Sequence, residues 1–184
     1  MREALRILEK EGMVQILPRR GAQVTRLDIE EVNNVCEIRA NLIALAVKLM
    51  TARADKASFD QLKIGVDQLQ YFARSNQSDE FVNSAYRLTG LIAEASGNPQ
   101  LRNMLFSLAH QTIRYSRLGF STEKRRHQSA KNWKILSAAI LQGDSRAAQR
   151  AAEQMVNDTR DTAIQLLQDE RKEQAGTGRR LASA

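Results

Sequence analysis

After residue 27, apolar residues recur at spacings of three and four, the period that places them on one face of an α-helix. Asp28 can cap the first helix, whose apolar positions run from Ile29 to Leu49. Five further helices are predicted over residues 56–74, 79–95, 100–118, 123–141 and 145–167. Turn residues such as "SGNP" and "QGD" separate them. Six helices joined by short breaks predict an antiparallel bundle.

The first 27 residues follow a different pattern. Residues 2–11 predict a short helix with one apolar stripe, and Gly12 can end it by adopting a positive φ. The stretches "MVQIL" and "AQVTRL" predict two short strands around the turn "PRRG", which places Arg19 and Arg20 at the tip of a hairpin. A helix and a β-hairpin therefore precede the bundle.

Two boundaries follow from these changes of pattern. We expect the helical domain to cover residues 28–168 and the helix with its hairpin to form a separate unit over residues 1–27. Residues 169–184, "DERKEQAGTGRRLASA", lose the apolar periodicity, so we expect a disordered tail there.

The chain is basic, with a net charge of +7 and a pI near 9.9, which is compatible with nucleic-acid binding. Between Arg114 and Lys134, seven lysines and arginines stand against one acidic residue, Glu123. Such a run is commonly a solvated loop and helix face. The alternative is a surface or pocket that meets an anion.

The single cysteine, Cys36, lies on an apolar helical stripe, which favours a buried inert thiol over a nucleophile. The N-terminus does not resemble a secretory signal, and no uninterrupted apolar run approaches the roughly 20 residues that cross a bilayer. We therefore expect a cytoplasmic protein with no membrane partner.

The short helix and the hairpin carry chemistry suited to DNA. A helix that presents Arg2 and Arg6 on one face can enter a major groove, where arginine pairs with guanine edges or binds phosphates. A loop of Arg19, Arg20 and Gly21 can lie along the neighbouring backbone or minor groove, since glycine permits close approach.

The stretch "REALRILEKEGMVQILPRRGAQVTRL" resembles the end of a GntR-type winged helix-turn-helix, with a recognition helix and then a wing tipped by R-R-G. Three later stretches resemble the all-helical FCD ligand-binding domain of the FadR subgroup. They are "EIRANLIALAVKLMTARA" at 37–54, "FVNSAYRLTGLIAEASGNPQL" at 81–101 and "WKILSAAILQGDSRAAQRAAEQM" at 133–155.

This resemblance implies a mainly α protein, an FCD-like antiparallel bundle of six to seven helices preceded by a partial winged helix. It also implies a bacterial transcription regulator that binds operator DNA as a homodimer and responds to a small acidic metabolite. Because the chain begins within the recognition helix, we expect the winged head to be incomplete. We expect DNA binding by a protein that supplies the rest of the head.

Many relatives hold a divalent metal with an Asp, a His four residues later, and a His on each of two later helices. Alignment on the matched stretches places these positions at Ala85, Thr89, Trp133 and Met155. Ala and Trp have no conventional ligating group, and Thr with a thioether is a poor set for a hard or borderline cation. We therefore predict no metal and no other cofactor.

Compared with the metal-binding relatives, these four residues make the centre of the bundle more apolar and fill more of its volume. One possibility is a pocket for an apolar or aromatic effector of carboxylate or acyl type. The other is a filled core that binds no effector. Arg39 stands where relatives often carry an arginine, and Arg114 should lie on a helix that lines the same cavity. Either could bind a carboxylate bidentately, or be a salt-bridging or surface arginine.

We expect no enzyme, because the chain has no Gly-rich phosphate loop, CxxC or HExxH motif, and its only histidines are His110 and His127. For a lone helical histidine, a surface or satisfied core position is the commoner role. The alternative to a regulator is a helical ligand-binding or dimerisation module that has lost DNA binding through truncation of its N-terminal head.

Overall fold

The amphipathic segments form seven helices and one hairpin in the part of the chain that the computed structural model describes. That part comprises residues 2–10, 14–17, 20–25, 28–53, 55–75 and 77–182. In chain order the elements are α1 (Arg2–Lys10), β1 (Val14–Leu17), β2 (Gly21–Val24), α2 (Ile29–Arg53), α3 (Lys56–Arg74), α4 (Ser78–Ala95), α5 (Pro99–Gly119), α6 (Glu123–Leu141) and α7 (Ser145–Ala182).

The predicted helix and hairpin at the N-terminus are confirmed. Strands β1 and β2 pair antiparallel, with Val14 opposite Val24 and Leu17 opposite Gly21. Gly21 has a φ of 79°, a conformation that glycine adopts without strain. The Ile16 amide donates to the Glu9 carboxylate at 2.9 Å, so the hairpin is fastened to α1. The predicted tip residue Arg19 lies outside the described residues.

Polar side chains cap several of the bundle helices where the sequence changes to helical periodicity. Asp55 accepts the Ser58 amide at 2.8 Å, and Asn98, followed by Pro99, accepts the Leu101 amide at 3.1 Å. Such caps satisfy amides that have no partner within the helix. The chain reverses after α4 and α6 through glycines with positive φ, as "SGNP" and "QGD" predicted.

Helices α2 to α7 enclose one apolar core, and α2 packs most extensively along α7. Fully buried core residues come from five of the bundle helices, and α5 adds the buried Leu101 and Leu105; the fully buried ones are Val32, Val47, Met50, Leu62, Leu69, Phe81, Ile92, Leu136, Ile140 and Ala163. The predicted mainly α bundle is therefore confirmed. Cys36 is buried, as expected, and desolvation raises the pKa of its thiol above the ordinary value.

The C-terminal segment differs from the prediction. Helix α7 continues to Ala182, so residues 169–182 are helical rather than a disordered tail. The segment after residue 168 is rich in Glu, Arg, Lys and Gln, which favour the helix even without an apolar stripe. Arg171 also lies 3.5 Å from the Asp28 carboxylate, which ties this end of α7 to the start of α2.

None of the described helices combines the length and the apolar character that crossing a membrane requires.

Candidate functional site

Five of the six predicted effector-binding residues surround one cavity in the centre of the bundle. They are Arg39, Ala85, Thr89, Trp133 and Met155, which come from α2, α4, α6 and α7. The cavity has a volume of about 40 Å³. A space of this size accommodates a few water molecules at most and is too small for a metabolite. The structure thus has a nearly filled core that keeps a small space beside a cationic side chain.

Arg39 gives this cavity its charge. Its side chain is 9% exposed, and its guanidinium carbon lies 5.6 Å from the centre of the Tyr86 ring. Across the described residues, the structure records no ion pair and no hydrogen bond for the Arg39 guanidinium. A buried guanidinium without a carboxylate is costly unless an anion or water satisfies its donors. The cavity beside Arg39 is therefore suited to an anionic group.

The residues at the expected metal position do not fit a metal ion. Ala85 and Trp133 provide no ligand, and the Thr89 hydroxyl donates to the Ala85 carbonyl at 3.0 Å within its own helix. Within the described part of the chain, no group of three or more His, Cys, Asp or Glu side chains could hold a metal. His127 is exposed and pairs with Glu123 at 3.3 Å, away from the cavity.

Tyr86 forms a polar wall of the cavity that the sequence analysis missed. Its hydroxyl lies 3.1 Å from Thr112 Oγ1 and 3.2 Å from Ser116 Oγ, both on α5. Because Thr112 donates to the Leu108 carbonyl at 2.9 Å, it accepts the Tyr86 proton, and Ser116 donates to the Tyr86 oxygen. The sequence signal for Tyr86 was its position directly after Ala85, within the stretch 81–101 that resembles the FCD domain.

Arg114 does not line the cavity, which corrects the prediction. Its Nη1 donates to the Thr25 hydroxyl at 3.1 Å, and its Nη2 donates to the Thr25 carbonyl at 2.7 Å. Successive residues on a helix point about 100° apart, so helix α5 can present Ser116 to the cavity while Arg114 points to the segment after the hairpin. Arg114 therefore connects the bundle to the N-terminal unit.

The predicted DNA-contacting residues lie on α1 and the hairpin. The side chains of Arg6 and Arg20 are exposed, and Gly21 starts β2. The side chain of Arg2 and the whole of Arg19 lie outside the described residues. Exposed guanidinium groups on a helix and at an adjacent turn can contact phosphates or base edges without desolvating a buried partner.

A second, larger concavity lies on the surface between α4 and α5. It has a volume of about 600 Å³ and is lined largely by apolar side chains, including Leu91, Leu105 and Phe106. Tyr86 and Thr89 line both this groove and the inner cavity, so α4 separates the two spaces.

Comparisons with known proteins identify the same helical domain that the sequence stretches predicted. The FCD domain model matches residues 34–158. The chain is 29% identical over 106 residues to YdhC of Bacillus subtilis (strain 168), an uncharacterized HTH-type transcriptional regulator. That match covers 57% of this chain and 47% of YdhC, so the chain spans about half the length of this curated relative.

Solved structures share the fold at lower identity. McbR/YncC of E. coli superposes with a TM-score of 0.83 and 17% identity, over 90% of this chain and 84% of that one. GntR of Streptococcus agalactiae superposes with a TM-score of 0.61 and 16% identity, over 88% and 80% of the two chains. Both superpositions extend over more of this chain than the residues matched by the domain model.

Proposed function

Because this chain belongs to the FCD-domain family of GntR-type proteins, we propose that it is a transcription regulator. We propose that it binds operator DNA as a homodimer and changes its DNA affinity when a small carboxylate or acyl-type effector binds in the helical domain without metal. The observation that carries the effector part is Arg39, a buried guanidinium without an ion-pair partner among the described residues, beside an internal cavity.

DNA binding is supported by the N-terminal unit. Helix α1 carries the exposed Arg6 and the hairpin turn carries the exposed Arg20, and the Glu9 carboxylate on α1 accepts the Ile16 amide of the hairpin. The net charge of +7 favours attraction to phosphates. A dimer would place two such units roughly 34 Å apart on a pseudo-palindromic operator.

Effector binding requires the cavity to expand, because about 40 Å³ does not accommodate a metabolite. Met155 is half-buried at its wall, and a methionine side chain can change rotamer more easily than its neighbour Trp133. A carboxylate that pairs with Arg39 would recover part of the cost of burying the guanidinium. The apolar remainder of the effector would contact Trp133.

Helix α5 provides the connection between the effector and the DNA unit. Ser116 and Phe120 on this helix line the cavity, whereas Arg114 binds Thr25. A ligand that moves α5 would therefore change how the hairpin unit is held. Such a response requires that the effector bind with different affinity to the two arrangements of the hairpin unit, the one that binds DNA and the one that does not.

DNase I footprinting on the region upstream of the gene tests the regulator. The 184-residue chain and the product of the longest in-frame reading frame are tested at moderate salt. We expect protection of a pseudo-palindromic site by the longer protein. If neither protein protects any DNA, the chain is a ligand-binding or dimerisation module and the regulator proposal is wrong.

Thermal unfolding tests the effector class. We expect benzoate or a short dicarboxylate to raise Tm, whereas benzamide, which has the same shape as benzoate but no charge, should not. Zinc and nickel should have no effect that a chelator removes. A marked chelator-sensitive stabilisation by either metal would contradict a metal-free site.

A further inference from the structure

The groove between α4 and α5 is a large apolar space next to a small charged one. It has a volume of about 600 Å³, against about 40 Å³ for the inner cavity that Arg39 lines. Tyr86 and Thr89 line both spaces, so these two side chains form the partition between them. A molecule that outgrows the inner cavity has the groove directly beyond this partition.

The walls of the groove suit a hydrocarbon chain. Five uncharged apolar side chains provide most of them: Leu91, Leu105, Phe106, Ala109 and Ile113. Burying methylene groups against such a surface is favourable, whereas burying a polar group there without a partner is costly. The groove therefore favours the apolar part of an effector.

The charged residues of the groove are less suited to the anionic part. Arg87 is exposed and donates to the Ser84 hydroxyl at 2.7 Å, and the exposed Glu94 carboxylate lies 3.4 Å from Arg102 Nε. Ion pairs at exposed positions contribute little, because water competes for both charges. Arg39 is buried, so a carboxylate gains more by binding there than at the rim of the groove.

The partition between the two spaces is easier to pass at Thr89 than at Tyr86. The Tyr86 hydroxyl lies 3.1 Å from Thr112 Oγ1 and 3.2 Å from Ser116 Oγ, which anchors the ring to α5. Thr89 is smaller, and its hydroxyl donates to the Ala85 carbonyl at 3.0 Å within its own helix. Because that proton is already bonded, an apolar chain that passes Thr89 leaves no donor there without a partner.

We propose that the effector is a monocarboxylate with an unbranched apolar chain, whose carboxylate binds Arg39 and whose chain passes Thr89 to lie in the groove between α4 and α5. The stretch of α4 that lines the groove, from Tyr86 to Glu94, rises about 12 Å along the helix axis, which gives room for an extended chain. This inference rests on the proposed function and deepens it. The carbons next to the carboxylate contact Trp133, and the groove holds the remainder.

Chain length tests the groove in the full 184-residue protein. Trp133 is the single tryptophan of the chain and lines the inner cavity, so its fluorescence reports binding. Butyrate, hexanoate, octanoate and decanoate are compared, and each methylene that enters the groove should lower Kd by roughly threefold to fourfold. 1-Decanol, which lacks the charge, should bind more weakly than decanoate by roughly tenfold or more.

A variant that fills the groove separates it from the inner cavity. Ala109 lies in the wall of the groove and outside the wall of the inner cavity, so Ala109→Phe should occupy the space of the chain. We expect decanoate to lose roughly tenfold or more in affinity, because several methylenes are excluded, while the Kd of butyrate stays unchanged. Ala138→Phe, the same change at an exposed position on α6, should bind both acids as the wild type does.

A second variant keeps the test decisive if Ala109→Phe does not fold, as judged by its helical circular dichroism. Phe106→Asp places a carboxylate in the wall of the groove, where it opposes burial of an apolar chain. It should weaken decanoate binding and leave butyrate binding unchanged.

Two results would overturn the groove as the site of the chain. They are a decanoate Kd no lower than that of butyrate, and a folded Ala109→Phe or Phe106→Asp that binds decanoate as tightly as the wild type. Either leaves a small carboxylate at Arg39 standing, which the benzoate experiment judges separately. Equal decanoate affinity in the wild type and Arg39→Met, or equal affinity for decanoate and 1-decanol, overturns the carboxylate at Arg39 and with it the proposed effector site. DNA binding is judged by footprinting alone.

Discussion

The Arg114 guanidinium donates to both oxygens of Thr25, to the hydroxyl at 3.1 Å and to the backbone carbonyl at 2.7 Å. The two residues are 89 positions apart in sequence. This contact joins α5, a wall of the proposed effector cavity, to the segment that follows the hairpin. Through it the bundle contacts the proposed DNA-binding unit directly.

Replacing Arg114 should uncouple the two units without unfolding the bundle. For Arg114→Ala we expect faster amide hydrogen exchange in residues 21–25, because two hydrogen bonds that restrain this segment are lost. The bundle core should exchange as before. The cost in unfolding free energy should be about 1–3 kcal/mol, since one bond partner is charged.

Arg117→Ala is the control for this change, because it removes an exposed arginine from the same helix. Arg117 lies 3.9 Å from Asp79, a surface pair of small value. Exchange in residues 21–25 should not change. Equal exchange in both variants and the wild type would show that the Arg114 contact does not restrain the hairpin unit.

Arg39 should lower the stability of the ligand-free protein and be required for carboxylate binding. Arg39→Met keeps a long side chain but removes a buried cation that has no ion pair among the described residues. We therefore expect the ligand-free protein to gain about 1 kcal/mol in unfolding free energy. Stabilisation by benzoate should be lost. Urea unfolding with and without benzoate measures both effects.

Lys48→Met is the matched control on the same helix, at an exposed position. It should leave the response to benzoate intact. If Arg39→Met still responds to benzoate as the wild type does, the carboxylate binds elsewhere and the role proposed for Arg39 is wrong.

The close approach of α5 to α7 depends on Gly119. A Cβ atom added there would lie 2.6 Å from the Thr159 carbonyl oxygen, which belongs to backbone and cannot easily move. We expect Gly119→Ala to lower the unfolding free energy by about 1–3 kcal/mol.

Gly65→Ala provides the comparison for this prediction. The added Cβ would meet Leu88 Cδ2 at 2.5 Å, but that atom is the end of a flexible side chain that can rotate away. Alanine also favours the helix over glycine. The loss should therefore be smaller than for Gly119→Ala, and equal losses in chemical denaturation would refute this account.

Much of this fold follows from the sequence. Periodicity and caps gave the six bundle helices and the hairpin, because the spacing of apolar residues and the turn residues act locally. The cavity was found through alignment, which brought Arg39, Trp133 and Met155 together. The direction of a side chain from its helix was harder to predict, and Arg114 illustrates this. The extension of α7 was missed because helix propensity persists where apolar periodicity ends.

Tyr115 should make stability depend on pH in the alkaline range. Burial, together with the nearby Glu31 carboxylate, raises the pKa of its phenol to about 12. The unfolded chain releases this proton near its ordinary value of about 10, whereas the folded chain keeps it. Stability from this group is therefore complete below pH 10 and is lost as pH rises from 10 towards 12.

Urea unfolding at pH 9 and at pH 11.5 should show this loss in the wild type, by up to about 2 kcal/mol. Tyr115→Phe has no phenol to titrate and should show a smaller fall between the same two values. Tyr71→Phe, at a position that is 63% exposed, should behave as the wild type. The buried Cys36 thiol, whose pKa is also raised, is present in all three proteins, so the difference between them isolates Tyr115. An identical fall in Tyr115→Phe and wild type would mean that Tyr115 loses its proton as readily in the folded chain as in the unfolded one.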